Sequence, residues 1–91
     1  MRTLLECREE LNQIDDQILE LFVKRMTCIK DVAEYKIANN LPIFDSNREQ
    51  AMIERLSANV QEELRPYYVE LLKTILKVSK DYQKVLIERQ K

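Results

Sequence analysis

From Met1 to Asn40 the chain carries one uninterrupted helical pattern, and no other feature limits its possible folds as strongly. Apolar residues recur at alternating spacings of three and four: Leu4, Cys7, Leu11, Ile14, Ile18 and Leu21, then Cys28 and Val32. This is a heptad seam. Its next position after Leu21 is 25, where the sequence has Arg25, a cation in line with the core. No Gly or Pro precedes Pro42, so the rod could reach about 55 Å at roughly 1.5 Å per residue. A domain of 91 residues cannot cover a rod that long by itself.

Composition narrows the class. Hydrophobic residues make up 45% and charged residues 34%, with no Gly and two Pro. An all-α, soluble chain follows. Fifteen basic residues against 16 acidic ones, scattered along the sequence, argue against nucleic acid as a partner. The N-terminus lacks a signal-peptide core, and no run of about 18 apolar residues could span a membrane, so the expected location is the cytoplasm. Cys7 and Cys28, about 31 Å apart along one helix, cannot pair within the chain and are expected as buried, reduced thiols. With no His in the sequence, a Cys/His zinc site and a His-activated nucleophile are both excluded. No metal or cofactor is expected.

Asn39, Asn40, Leu41 and Pro42 end the first helix, because Pro42 cannot continue it and disfavours helical geometry at Leu41. The pattern predicts helix 1 over about 3–39. A second helix, about 46–58, begins at Asp45 or Ser46, either of which can cap it, and runs through Met52, Ile53 and Leu56. Pro66 suits the first residue of a third helix, about 66–90. Its inward positions are Leu72, Leu76, Ser79, Gln83 and Leu86. With no internal repeat and no linker, residues 1–91 read as one domain of three helices, long, short and long.

The polar residues on apolar faces are the informative ones. Arg25 and Lys36 are 11 residues apart, which returns to within about 20° of the same face some 16 Å along the helix. Two long cationic side chains leaning together could hold a small dianion. Taken singly, Lys36 also fits a solvated surface lysine and Arg25 a snorkelling one, but the apolar neighbours on both sides of position 25 count against that. Arg8 lies about 25 Å from Arg25, beyond reach within one chain. Two copies of helix 1 packed antiparallel would bring Arg8 of one chain to Arg25 of the other and bury the seam. Ser46 and Glu49 fit the S-x-x-E capping box, which gives Glu49 a purely structural explanation. Ser79 and Gln83, one turn apart on an inner face, need hydrogen-bond partners or a ligand.

These residues, with their surroundings, make the sequence similar to the all-helical class of chorismate mutase over nearly its full length. The pieces that carry the resemblance are Cys7-Arg8-Glu9-Glu10-Leu11 with Ile14-Asp15, Lys24-Arg25-Met26, Tyr35-Lys36, Pro42-x-x-Asp45-x-x-Arg48-Glu49, and Ser79-x-x-x-Gln83. The resemblance implies an intertwined antiparallel homodimer of three-helix chains, in which each of two active sites takes one arginine from the other chain. It implies the substrate chorismate, a dicarboxylate, and a concerted Claisen rearrangement to prephenate in Phe and Tyr biosynthesis. Carried over, Arg25 and the partner's Arg8 bind the two carboxylates, with Ser79 assisting. Lys36 and Gln83 face the ether oxygen. Glu49, with the backbone near Asp45, takes the substrate hydroxyl, and Arg48 orients Glu49 or adds positive potential. Two other readings remain open at this point: an isochorismate-pyruvate lyase built on a related fold, and a non-catalytic helical dimerisation or regulatory module.

Overall fold

The computed structural model describes residues 1–90; Lys91, the last residue of the expected domain, lies outside the described residues. The described residues form three α-helices and no strand: α1 (Leu4–Ala38), α2 (Ser46–Ser57) and α3 (Arg65–Arg89).

Each boundary has a local cause. At the start of α1 the Thr3 hydroxyl accepts from the Glu6 backbone N–H at 3.1 Å and donates to Glu6 Oε1 at 3.2 Å. One otherwise orphaned amide is thereby satisfied. At the other end Asn40 takes a left-handed φ of 56°. Its N–H reaches Ile37 O at 3.3 Å, while the Leu41 N–H reaches Lys36 O at 2.9 Å. This pair of bonds is a Schellman motif with Asn in the place usually held by Gly. Pro42 then keeps the chain extended, and the turn brings the Ile43 carbonyl back over the end of α1.

α2 is capped by Asp45, whose Oδ1 accepts from the Arg48 N–H at 3.1 Å. The cap is therefore Asp45 and not Ser46, so the Ser46/Glu49 capping box does not form. Glu49 is left free for another partner. Between α2 and α3 the Arg65 guanidinium donates to Ser57 O and Val60 O, both at 3.0 Å, and closes the connecting turn. α3 begins at Arg65, with Pro66 in its first turn, where a missing N–H costs nothing.

α1 and α2 each pack against α3. The apolar core is small: Ala33, Leu72 and Leu76 are buried, and on α3 the same face continues into two buried polar residues, Ser79 and Gln83. The face of α1 turned toward α3 carries Met26, Ile29, Ala33, Lys36 and Ile37, while Cys28 is exposed. Within the chain, then, the packed face lies about one residue, or 100°, beyond the seam read from the sequence. The seam itself faces outward: Leu4, Leu11, Ile18 and Leu21 are 53–65% exposed. Cys7 is half-buried and Cys28 exposed, so the chain alone does not supply the burial expected for either thiol.

From Leu4 to Lys24 every residue except Cys7 is exposed, leaving about 30 Å of α1 without a neighbour in its own chain. The molecule measures 55 × 26 × 14 Å with a radius of gyration of 16.6 Å, against about 12 Å for a compact chain of this length. Its accessible surface is 7651 Å², where a compact monomer of this mass exposes about 5,600 Å². Large apolar side chains, among them Leu11, Ile18, Leu19, Leu21 and Phe22, stand exposed on the free stretch of α1. No helix among the described residues is long and apolar enough to cross a membrane.

Candidate active site

The buried polar residues of α3 open onto a cleft of about 140 Å³ between the C-terminal half of α1, the α1–α2 loop, the first turn of α2 and α3. The structure gathers there seven of the eight residues singled out in the sequence: Arg25, Lys36, Asp45, Arg48, Glu49, Ser79 and Gln83. Arg8 is exposed on the free half of α1 and does not line the cleft.

Arg25 comes off α1 and donates through Nη1 to Ser79 Oγ. Ser79 in turn donates to the Ile75 carbonyl at 2.8 Å, one turn back along α3. That hydroxyl accepts from a guanidinium and gives its proton to a backbone carbonyl, with no base hydrogen-bonded to it, so it serves as a fixed dipole and not as a nucleophile. Burial, and after it the positive charge of Arg48, push the Arg25 guanidinium below its ordinary pKa. Both guanidinium groups line the cleft, and an anion bound there would offset their mutual repulsion.

At the other end the Lys36 ammonium donates to Ile43 O at 2.9 Å and to Gln83 Oε1 at 3.2 Å. The Schellman turn and Pro42 make this possible by folding Ile43 back over Lys36. Because Lys36 holds the Gln83 oxygen, the Gln83 amide nitrogen is left for the cleft. Gln83 is only 4% exposed, its Nε2 makes no bond within the chain, and no fully buried side-chain polar atom among the described residues lacks a partner. The atom of Gln83 that meets solvent is therefore a neutral N–H donor, next to an ammonium.

Glu49 points from the first turn of α2 toward α3, where its Oε1 lies 3.2 Å from Lys80 Nζ. The partner of Glu49 is thus Lys80, a residue the sequence reading missed, and not Arg48, which is exposed at the rim with its backbone N–H bonded to Asp45. Four cations, Arg25, Lys36, Arg48 and Lys80, stand against two carboxylates, Asp45 and Glu49, so the cleft carries a net positive charge. Ile29, Val32, Ile43 and Leu76 form its apolar wall. No cluster of His, Cys, Asp or Glu among the described residues could hold a metal ion.

The arrangement suits an extended dianion with an apolar middle. Its chemistry is that of oriented donors, effective for a reaction that builds negative charge on an oxygen without needing a proton shuttle or nucleophile.

Comparison with known proteins gives the same direction. The family model for chorismate mutase type II matches residues 7–84. A chorismate mutase of Methanocaldococcus jannaschii is 31% identical over 90 residues, covering 93% of this chain and 88% of the relative. A bifunctional chorismate mutase/prephenate dehydratase from the Buchnera aphidicola of Acyrthosiphon pisum is 33% identical over 96% of the chain. One from the Buchnera aphidicola of Schizaphis graminum is 44% identical over 59% of it. The chain spans only 23% and 14% of the length of these two bifunctional relatives. No solved structure gives a significant match.

Proposed function

The chain belongs to the chorismate mutase type II family, and from that premise we propose that it converts chorismate to prephenate in Phe and Tyr biosynthesis, as a homodimer with two sites built from both chains. The observation that carries the reading is the pairing of the Lys36 ammonium with Gln83 on one inner face, with the Gln83 amide donor turned into a cationic cleft.

Chorismate presents two carboxylates, an ether oxygen and a ring hydroxyl. In the proposed pose Arg25, fixed by Ser79, takes one carboxylate. Arg8 of the partner subunit takes the other, and Arg48 adds positive potential at the rim. Lys36 and Gln83 Nε2 lie against the ether oxygen, where negative charge grows as the C–O bond breaks. Glu49, with the backbone near Asp45, accepts from the hydroxyl. The protein contributes by holding the reactive chair and by donors already aimed before charge develops, so no reorganisation is needed at the moment of reaction.

The dimer is supported by the free half of α1. An excess of about 2,000 Å² per chain, doubled, falls within the roughly 2,000–5,000 Å² range of obligate dimers. Packing the α1 seams antiparallel about the midpoint of Arg8 and Arg25 covers Leu11, Ile14, Ile18 and Leu21 and carries each Arg8 to the opposite cleft. The reading keeps the protein in the cytoplasm, where Cys7 and Cys28 stay reduced.

The test is loss of chorismate absorbance on adding purified protein, beside an Arg25→Ala control. Turnover by the unaltered protein and its collapse in the control are expected; an inert protein that is folded would overturn the reading. The rate should also not fall between pH 5 and 8, because an amide at position 83 donates without titrating and arginine stays charged there. The lowered Arg25 pKa does not alter this. For a base whose folded pKa is depressed, stability rises only as pH passes from the folded value toward the unfolded one, which for arginine is strongly alkaline.

A further inference from the structure

Ser79 and Lys80 are successive residues of α3, so their side chains diverge by about 100°. Ser79 meets Arg25 of α1, and Lys80 turns toward α2. There its ammonium lies 3.2 Å from Glu49 Oε1 and 4.6 Å from the centre of the Phe44 ring. Among the described residues this is the ion pair that joins two helices; Lys24–Glu20 and Lys77–Asp81 each lie within one helix, and Arg2–Glu10 joins the N-terminus to α1. It is also the most sheltered. Its side chains are 27% and 20% exposed, whereas those of the other three pairs are all more than half exposed. Solvent screens it correspondingly less.

Behind the pair lies a second hollow of about 280 Å³ between α2 and α3. Glu49, Leu76 and Lys80 line both this hollow and the cationic cleft, and so form the partition between them. A Glu49 carboxylate without Lys80 has open space on the far side. Among the described residues its carboxylate has no other hydrogen-bond or ion-pair partner, since α2 is capped by Asp45 and needs nothing from Glu49.

We propose that Lys80 is a positioning residue: it holds the Glu49 carboxylate on the cleft side of the partition, and its contact with the Phe44 ring keeps the ammonium itself in place. The proposal rests on the reading that Glu49 accepts from the substrate hydroxyl. Lys80 itself touches no substrate group in it. The ammonium has two partners, one charged and one aromatic, and both belong to the segments that frame the hydroxyl side of the cleft. A carboxylate displaced by even about 1 Å from a bound hydroxyl can cost up to about 10²-fold in rate.

The experiment is a kinetic cycle on the full chain with chorismate: Lys80→Met, Lys80→Arg, Glu49→Ala, and Lys80→Met combined with Glu49→Ala. Met keeps the length and helix preference of the lysine stem without its charge. Lys80→Met is expected to lower kcat/KM by about 10- to 100-fold, and Lys80→Arg, which retains both the pairing and the ring contact, to recover most of it. In the Glu49→Ala background the same Lys80→Met change should cost less than about twofold, because its effect passes through the carboxylate. A merely structural lysine, or one that binds substrate directly, would give the same loss in both backgrounds. That result, or an unchanged kcat/KM in Lys80→Met, would overturn the proposal while leaving the mutase reading intact. Failure of the unaltered protein to consume chorismate would overturn both together.

Discussion

Alanine at Lys36, or at Gln83, is expected to lower chorismate turnover by at least about 10²- to 10³-fold with the helical signal and the oligomeric state unchanged. The size follows from where the donors sit. A preorganised donor aimed at developing charge in a water-poor site contributes roughly 3 to 4 kcal/mol. Gln83 is 4% exposed and its oxygen is already committed to Lys36, so its amide nitrogen has a fixed direction before substrate arrives. Removing Lys36 takes away one donor and also frees the Gln83 amide to rotate, so the two effects should not add. The double variant is expected to be little worse than the worse single one. Steady-state kinetics of the three variants check this. Near-normal turnover in either single variant would remove Lys36 and Gln83 from the reaction.

The second large effect concerns the outward seam. Ile18 is 58% exposed in the single chain and lies close to the midpoint between Arg8 and Arg25. In an antiparallel pair of α1 helices the two copies of Ile18 approach each other near the two-fold axis. Ile18→Asp therefore places two carboxylates in an apolar crossing, where an unpaired buried charge is not tolerated. Sedimentation should report a dimer for the unaltered protein and a smaller species for the variant. Turnover should drop by more than about 10²-fold, because in the proposed dimer separated chains lose the partner's Arg8 from each cleft. A variant that stays dimeric and active would mean that the seam is not the interface.

Much of the site could be read from the sequence because polar residues interrupting an apolar period are conspicuous. Arg25 breaks the seam of α1, and Ser79 and Gln83 break the inner stripe of α3. The structure brings Arg25 to Ser79 and Lys36 to Gln83. What the period could not convey is which apolar face of α1 packs inside the chain. Two stripes lie about 100° apart on that helix, one through Leu11, Ile18 and Cys28 and one through Met26, Ile29 and Ala33, and both look like core. The inner one meets α3; the other faces out. Exposed Cys28 follows from the same ambiguity.

Lys80 carries no signal in the sequence, for a different reason. Beside Ser79, in a helix with lysines at 73, 77 and 84, it looks like another solvated charge. Its role depends on α2 and Phe44 arriving from elsewhere in the chain, a long-range fact with no local signature. The cap of α2 was legible only as a choice between Asp45 and Ser46. The decision for Asp45 releases Glu49 from the capping box and makes its pairing with Lys80 possible. The end of α1 was read from Pro42, whereas the stop is made two residues earlier by Asn40 in its left-handed conformation.

Whether each site is completed by the other chain's Arg8, as proposed, is tested most directly by mixing two inactive variants. Arg8→Ala and Arg25→Ala homodimers should each be nearly inert. After subunit exchange at equal amounts, half of the dimers are mixed, and each of these has one site with both arginines and one with neither. Recovery of about a quarter of the unaltered activity is therefore expected. If exchange is verified and activity stays at the level of the separate variants, Arg8 does not cross between protomers, and the shared site is contradicted.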